Sequence, residues 1–170
     1  MNSVQIDRTL TIKYSVAMTD GVAAEIDPLA LESQVCFALA VTNRAVLAVY
    51  RPLLEPLGLT HPQYLVMLAL WDNAKGAGEP LSVKDIARLL QMDSATLSPM
   101  LKRLQAQGRI TRVELAPKGR SLRRQALEVP PSVVERLGVE LSELEHLREV
   151  LTSINTAALA AGALDSELDR

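Results

Sequence analysis

The chain has 170 residues, of which 48% are hydrophobic, 3% aromatic and 22% charged, with a formal net charge of −2. This is enough apolar material for one cored domain with arms, and a composition poor in aromatics and rich in Leu, Ala and Val favours helices over sheet. The single cysteine, Cys36, cannot form an internal disulfide, no signal-like segment opens the chain, and no uncharged apolar run is long enough to span a bilayer; a cytoplasmic protein without a membrane partner is expected.

Residues 1–28 lack helical periodicity and read as an N-terminal arm or a disordered tail. Asp27-Pro28 marks a helix start, and Leu31, Val35, Leu39, Val46, Val49 and Leu53 predict one long helix over about 29–56, with Pro52 bending its end and Gly58 breaking the chain. Thr60 is the expected N-cap of a second helix whose buried face is Leu65, Leu68, Ala69 and Trp71. After a Gly/Pro-rich loop at 76–80, Ser82-Val83-Lys84-Asp85 has the form of a capping box, with Ile86, Leu89 and Leu90 inward. Asp93 should cap a fourth helix running to Gln107, with Leu97, Met100, Leu101 and Leu104 inside and Gly108 as a left-handed stop. Arg109–Leu115 and Ser121–Val129 read as two strands joined by a basic tip at 116–120, and a long helix from Pro130 through Leu151 follows, with a break near 152–156.

Two helices joined by a short polar turn, then a basic hairpin, form the pattern of a winged helix-turn-helix whose second helix enters the DNA major groove. The charge distribution agrees: residues 60–127 carry a net +6 and residues 128–170 a net −6. Ser94, Ala95, Thr96, Ser98, Lys102 and Arg103 lie off the apolar stripe of the fourth helix and suit base edges and phosphates, while Lys118, Arg120 and Arg123 suit an adjacent minor groove. The expected fold is mainly α with a small β-hairpin wing, in which dimerisation helices at 29–58 and 130–170 flank a DNA-binding lobe at 59–129. A homodimer on a pseudo-palindromic operator of double-stranded DNA follows, because two recognition helices must sit one turn apart.

The order of elements over residues 30–155 resembles the MarR family of winged-helix repressors. Leu31–Leu39, Tyr50-Arg51-Pro52-Leu53-Leu54, Leu59–Leu65 and Met92–Leu104 are similar to its organic-hydroperoxide sensors, of the one-cysteine type. The resemblance implies a dimeric repressor released when a reactive cysteine, here Cys36, is oxidised, and Tyr50 matches a tyrosine that hydrogen-bonds the sulfur from the partner subunit. Two departures stand out: relatives usually carry tyrosines where this chain has Ala40 and His61, and an acidic residue where Lys118 precedes Arg120. His61 is either a donor replacing the missing tyrosine or a plain polar residue of the first turn.

Read without the family, Cys36 lies about two turns into the first helix, where the dipole helps only partly, and a free cysteine is commonly a small buried hydrophobe. Tyr50, fourteen residues on, cannot reach its own Cys36 along one helix. Lacking a second cysteine, an oxidised Cys36 would pass from sulfenic acid to a mixed disulfide with a small thiol, to a sulfenamide or to overoxidation; a Cys36–Cys36 bond between subunits needs suitable geometry. Two other readings compete. In one, the regulator answers to a small aromatic or phenolic ligand between dimer and DNA lobes, with Cys36 structural; in the other, it is a thiol peroxidase using Arg44, although no peroxidase pattern surrounds the cysteine. No phosphate-binding Gly loop, metal-ligand cluster or catalytic triad is visible, so neither an enzyme nor a cofactor is expected.

Overall fold

A computed structural model describes Asp27 and residues 29–76 and 79–163. The expectations for the N-terminal arm, Pro28, the middle of the 76–80 loop and the last residues lie outside this range. The chain divides into two units at Ala45–Val46.

In the first unit a short 3-10 turn, Leu31–Ser33, precedes helix α1, Val35–Leu54, which continues into the second unit. The helix expected from residue 29 therefore begins later. Gln34 is extended (ψ 120°) and separates the turn from α1, which puts Cys36 in the first helical turn rather than two turns in. Among the described residues, α1 is the helix long and apolar enough to cross a membrane by length and composition, yet it carries Arg44 and Arg51, and its C-terminal part packs Val49, Tyr50, Leu53 and Leu54 on the core.

The second unit holds the core. Helices α2 (His61–Asn73), α3 (Val83–Leu90) and α4 (Ser94–Ala106) are followed by strands β1 (Ile110–Thr111) and β2 (Glu114–Leu115), then α5 (Pro117–Ala126), α6 (Val129–Leu137) and α7 (Leu141–Ala160). Three of these starts are set locally. Thr60 and Gln63 close a capping box on α2, with Gln63 Oε1 accepting from Thr60 N at 3.0 Å. Ser82 and Asp85 do the same on α3. Asp93 accepts from Thr96 N at 2.7 Å on α4. Gly108 adopts φ +69°, the left-handed stop that ends α4.

Leu54, Val66, Met67, Ile86, Leu97, Leu104 and Ile110 are sealed from solvent, and Trp71 Nε1 donates to Gly119 O at 2.9 Å, fixing α5 against α2. Leu101 is buried and Met100 packs on the same core. The buried face of α2 differs from the expected one: Tyr64, Val66, Met67 and Leu70 go inside with Trp71, while Leu68 is 39% exposed and Leu65 and Ala69 are not part of the buried set. Residues 64–71 are apolar almost all round, so periodicity does not choose a side. Leu89 is likewise exposed, whereas Leu90 packs on the core.

The hairpin is shorter than expected and sits earlier. Ile110 pairs with Leu115 and Thr111 with Glu114, so Arg112 and Val113 make the tip. Residues 121–126, expected as a strand, belong to helix α5; Pro117 is pre-set for a first helical turn and the following Lys, Arg, Leu, Gln and Ala are strong helix formers. The C-terminal helix breaks at Gly138 (φ +62°), not near 152–156, because a left-handed glycine terminates α6 before α7 restarts at Leu141. No residue of α7 is buried, and Leu141, Leu147, Leu151 and Ile154 are exposed.

Candidate nucleic-acid interface and cysteine site

Helix α4 presents Ala95, Thr96, Pro99, Lys102 and Arg103 at spacings that keep them on one side, while Leu97, Leu101 and Leu104 anchor the other. Ser94 and Ser98 are half-buried at its margin. Two of the hydroxyls are already engaged: Thr96 Oγ1 donates to Asp93 Oδ2 at 2.7 Å, and Ser98 Oγ donates to Ser94 O at 2.7 Å. Their lone pairs remain for an incoming donor, such as an exocyclic amino group on a base edge. The same Thr96 bonds hold Asp93 below the usual carboxylate range, so the cap is ionised at neutral pH. Lys102 and Arg103 diverge in surroundings. Arg103, with Gln107, lines a hollow of about 720 Å³ shared with Leu47, Arg51, Leu59 and His61.

The three basic residues expected on the hairpin wing are not on a hairpin. Lys118, Arg120 and Arg123 all lie on α5. Arg120 Nη1 donates to Leu115 O at 2.5 Å, bracing β2, and Arg123 lines a separate apolar hollow with Leu65, Leu68, Leu89 and Leu127. Sequence reasoning passed over Arg112, which occupies the actual tip at φ +60°. The Arg112-Val113 turn carries no glycine, asparagine or proline, so its signal is absent from the sequence.

Cys36 is an exposed free thiol, and the expectation of a small buried hydrophobe does not describe it. Tyr50 and His61 come together in the second unit. Their ring centroids lie 5.1 Å apart at 72°, an edge-to-face contact. Tyr64 continues the cluster 6.2 Å from Tyr50 and reaches Trp71 at 6.3 Å. Burial lowers the His61 pKa from its ordinary value and raises that of Tyr50; Tyr64 is raised by burial and then by the neighbouring Tyr50. His61 is therefore a neutral imidazole at neutral pH. Among the described residues no cluster of His, Cys, Asp and Glu is arranged to hold a metal.

The fold and this arrangement define a winged-helix transcriptional regulator, and comparison with known proteins places it: the chain belongs to the MarR family, whose model matches residues 57–121. It is 35% identical over 143 residues to the organic hydroperoxide resistance transcriptional regulator of Bacillus subtilis (strain 168), covering 78% of this chain and 92% of that one. It is 40% identical over 139 residues to the HTH-type transcriptional regulator TtmR of Methylorubrum extorquens (strain PA1), covering 75% of this chain and 69% of that one. Among solved structures, AbfR of Staphylococcus epidermidis superposes with a TM-score of 0.61 at 27% identity, over 77% of this chain and 93% of that one. Its relatives are regulators, and the chain is a transcriptional regulator rather than an enzyme.

Proposed function

We propose that this chain is a homodimeric repressor that binds a pseudo-palindromic DNA operator and leaves it when Cys36 is oxidised by an organic hydroperoxide or a related oxidant. The observation that carries the reading is an exposed cysteine in the first turn of α1, in a chain 35% identical to an organic hydroperoxide resistance regulator. Helix α4 reads the major groove through Ser94, Ala95, Thr96, Ser98, Lys102 and Arg103, with Lys118, Arg120 and Arg123 as further phosphate contacts. AbfR in its reduced form has been solved bound to DNA, at 26% identity to this chain, which supports the same use of the fold here. The DNA-binding lobe spans 59–129, and the exposed apolar faces of α1 and α7, in the arms at 29–58 and 130–170, are assigned to the dimer seam.

The chemistry needs no cofactor. The Cys36 thiolate attacks the terminal peroxide oxygen, the O–O bond breaks, and the alcohol leaves after taking a proton, which gives a sulfenic acid. A small thiol then condenses with it, expelling water and forming a mixed disulfide. Tyr50 and His61 form the ring surface against which the thiol of a second copy docks, and displacement there moves the two α4 helices out of register.

A DNA-shift titration on the promoter of the protein's own gene tests this. Reduced protein should bind, hydroperoxide should release it, added thiol should restore binding, and Cys36→Ser should bind but ignore the oxidant. A Cys36→Ser protein that still leaves DNA on hydroperoxide treatment would overturn the reading. A second reading, release by a small aromatic or phenolic ligand, draws on the hollow beside His61, walled by Leu47, Leu54 and Leu59. A ligand that releases Cys36→Ser protein under reducing conditions would favour it.

A further inference from the structure

Arg109 directly follows the left-handed stop of α4 and is only 7% exposed. Three segments meet on it. Its backbone N–H donates to Leu104 O at 3.0 Å, in the last turn of α4. Its carbonyl accepts from Ala116 N at 2.9 Å, where the hairpin returns and α5 begins. Its Nη2 donates to Leu57 O at 2.6 Å, in the turn that follows α1. The approach is closed to larger residues. Gly58, at φ +62°, leaves 2.9 Å between Nη2 and the place where a Cβ would stand, and a Cβ at Gly119 would run into the Arg109 carbonyl oxygen.

The side chain costs the fold stability. Nε and Nη1 are buried without an acceptor, and no carboxylate answers the charge: among the described residues the ion pairs are Lys75–Asp72 and Arg88–Asp85. A guanidinium does not give up its proton in a protein, and an apolar side chain of similar volume in such a place is often as stable or more so. What an apolar side chain cannot do is select one arrangement. Leu54, Leu57 and Leu59 from the end of α1 and its turn share one core with Leu97, Leu101 and Leu104 of α4. Apolar packing is non-directional, whereas a charge-assisted bond to a single carbonyl fixes both distance and angle.

We propose that Arg109 is a positioning residue: its bond to Leu57 O sets where α4 stands relative to the end of α1, and so sets the half-site spacing that the dimer accepts. A dimer joined through its α1 arms presents two α4 helices at a separation that this link holds constant. One extra base pair between half-sites moves the second by about 3.4 Å and turns it by about 34° around the duplex, which a fixed separation rejects. The inference rests on the homodimer and two-half-site operator of the proposed function, and it uses neither Cys36 nor any side chain assigned to DNA.

The test is a DNA-shift titration of the full-length reduced protein at low salt. The probes are the duplex it protects in the promoter of its own gene, that duplex with one or two base pairs inserted at its centre, and a single half-site. Wild type should prefer the native spacing by about tenfold, and Arg109→Met should keep the half-site affinity while its preference falls to about twofold. Gly58→Ala keeps the arginine but crowds Nη2; it should act in the same way, and combining the two should add nothing further, as for two lesions of one contact. Val133→Ala truncates a buried side chain of α6 that has no part in the bond; it should lower Tm and keep the preference. Arg109→Met should unfold at no lower temperature than Val133→Ala. A lower Tm than that, loss of half-site binding in Arg109→Met, or loss of preference in Val133→Ala would reduce Arg109 to a stabilising residue and overturn the proposal. An Arg109→Met protein as selective as a selective wild type would overturn it alone. A wild type that binds every spacing alike would overturn the two-half-site operator with it.

Discussion

The imidazole of His61 stands edge-on to the ring of Tyr50, with centroids 5.1 Å apart and planes at 72°. Burial at this contact holds the His61 pKa below its ordinary 6.5. Protonation is thus easier in the unfolded chain, so stability should be full above pH 6.5 and should fall as pH drops from there toward the native value, levelling below it. Unfolding by urea across this range should show the step, and His61→Phe should abolish it; an unchanged step would place the titrating group elsewhere.

Asp93 gives a second and more acidic step. Its carboxyl is held below 3.8 by the Thr96 hydroxyl and backbone N–H. The native pKa is depressed, so the stabilisation is present above 3.8 and lost as pH falls through the native value. Asp93→Asn should keep the cap at neutral pH but lose the acid dependence, whereas Asp93→Ala should lose both and weaken DNA binding by fraying the start of α4. Circular dichroism and a DNA-shift assay on the two variants check this.

Trp71→Phe keeps most of the buried ring but removes the donor to Gly119 O. Gly119 O keeps its place in the α5 ladder, so losing the indole bond should cost about 0.5–1.5 kcal/mol, read as a lower urea midpoint at unchanged m-value.

Lys102 is exposed on α4 and free of ion pairs among the described residues. Because a lysine on a phosphate displaces roughly one condensed counterion, Lys102→Ala should weaken binding to all sequences alike and make the slope of log K against log salt shallower by about 1. Arg103→Ala should also weaken binding, and because Arg103 borders the hollow beside His61, its effect should respond to occupants of that hollow while that of Lys102 should not.

The exposed leucines of α1 and α7 need cover in a dimer. Leu39→Glu and Leu147→Glu, each on an exposed apolar position, should shift sedimentation from dimer toward monomer without detergent. Wild-type protein recovered only from detergent-extracted membranes would instead assign α1 to a bilayer.

The elements legible in the sequence are those set by neighbours within a turn. The caps at Thr60, Ser82 and Asp93 and the left-handed stop at Gly108 are local hydrogen-bond and φ/ψ preferences, and all four stand where the residues put them. They set where α2, α3 and α4 start and where α4 ends, and with them the exposed face of α4. The family was equally readable, because its motifs fall on these same segments.

What the sequence left open was each choice that depends on residues distant in the chain. Which side of α2 goes inside is settled by the packing of Tyr64, Val66, Met67 and Leu70 on α3, α4 and the hairpin, since every side of that helix is apolar. Ser121–Val129 reads as a strand, but residues 121–126 belong to α5, which the Trp71 bond to Gly119 O fixes against α2. Arg109 reads as an ordinary surface cation; only the approach of Leu57, Gly58 and Gly119 from elsewhere in the chain buries its charge. Local chemistry thus determined where helices start and stop, and tertiary packing decided which faces and which charges they hide.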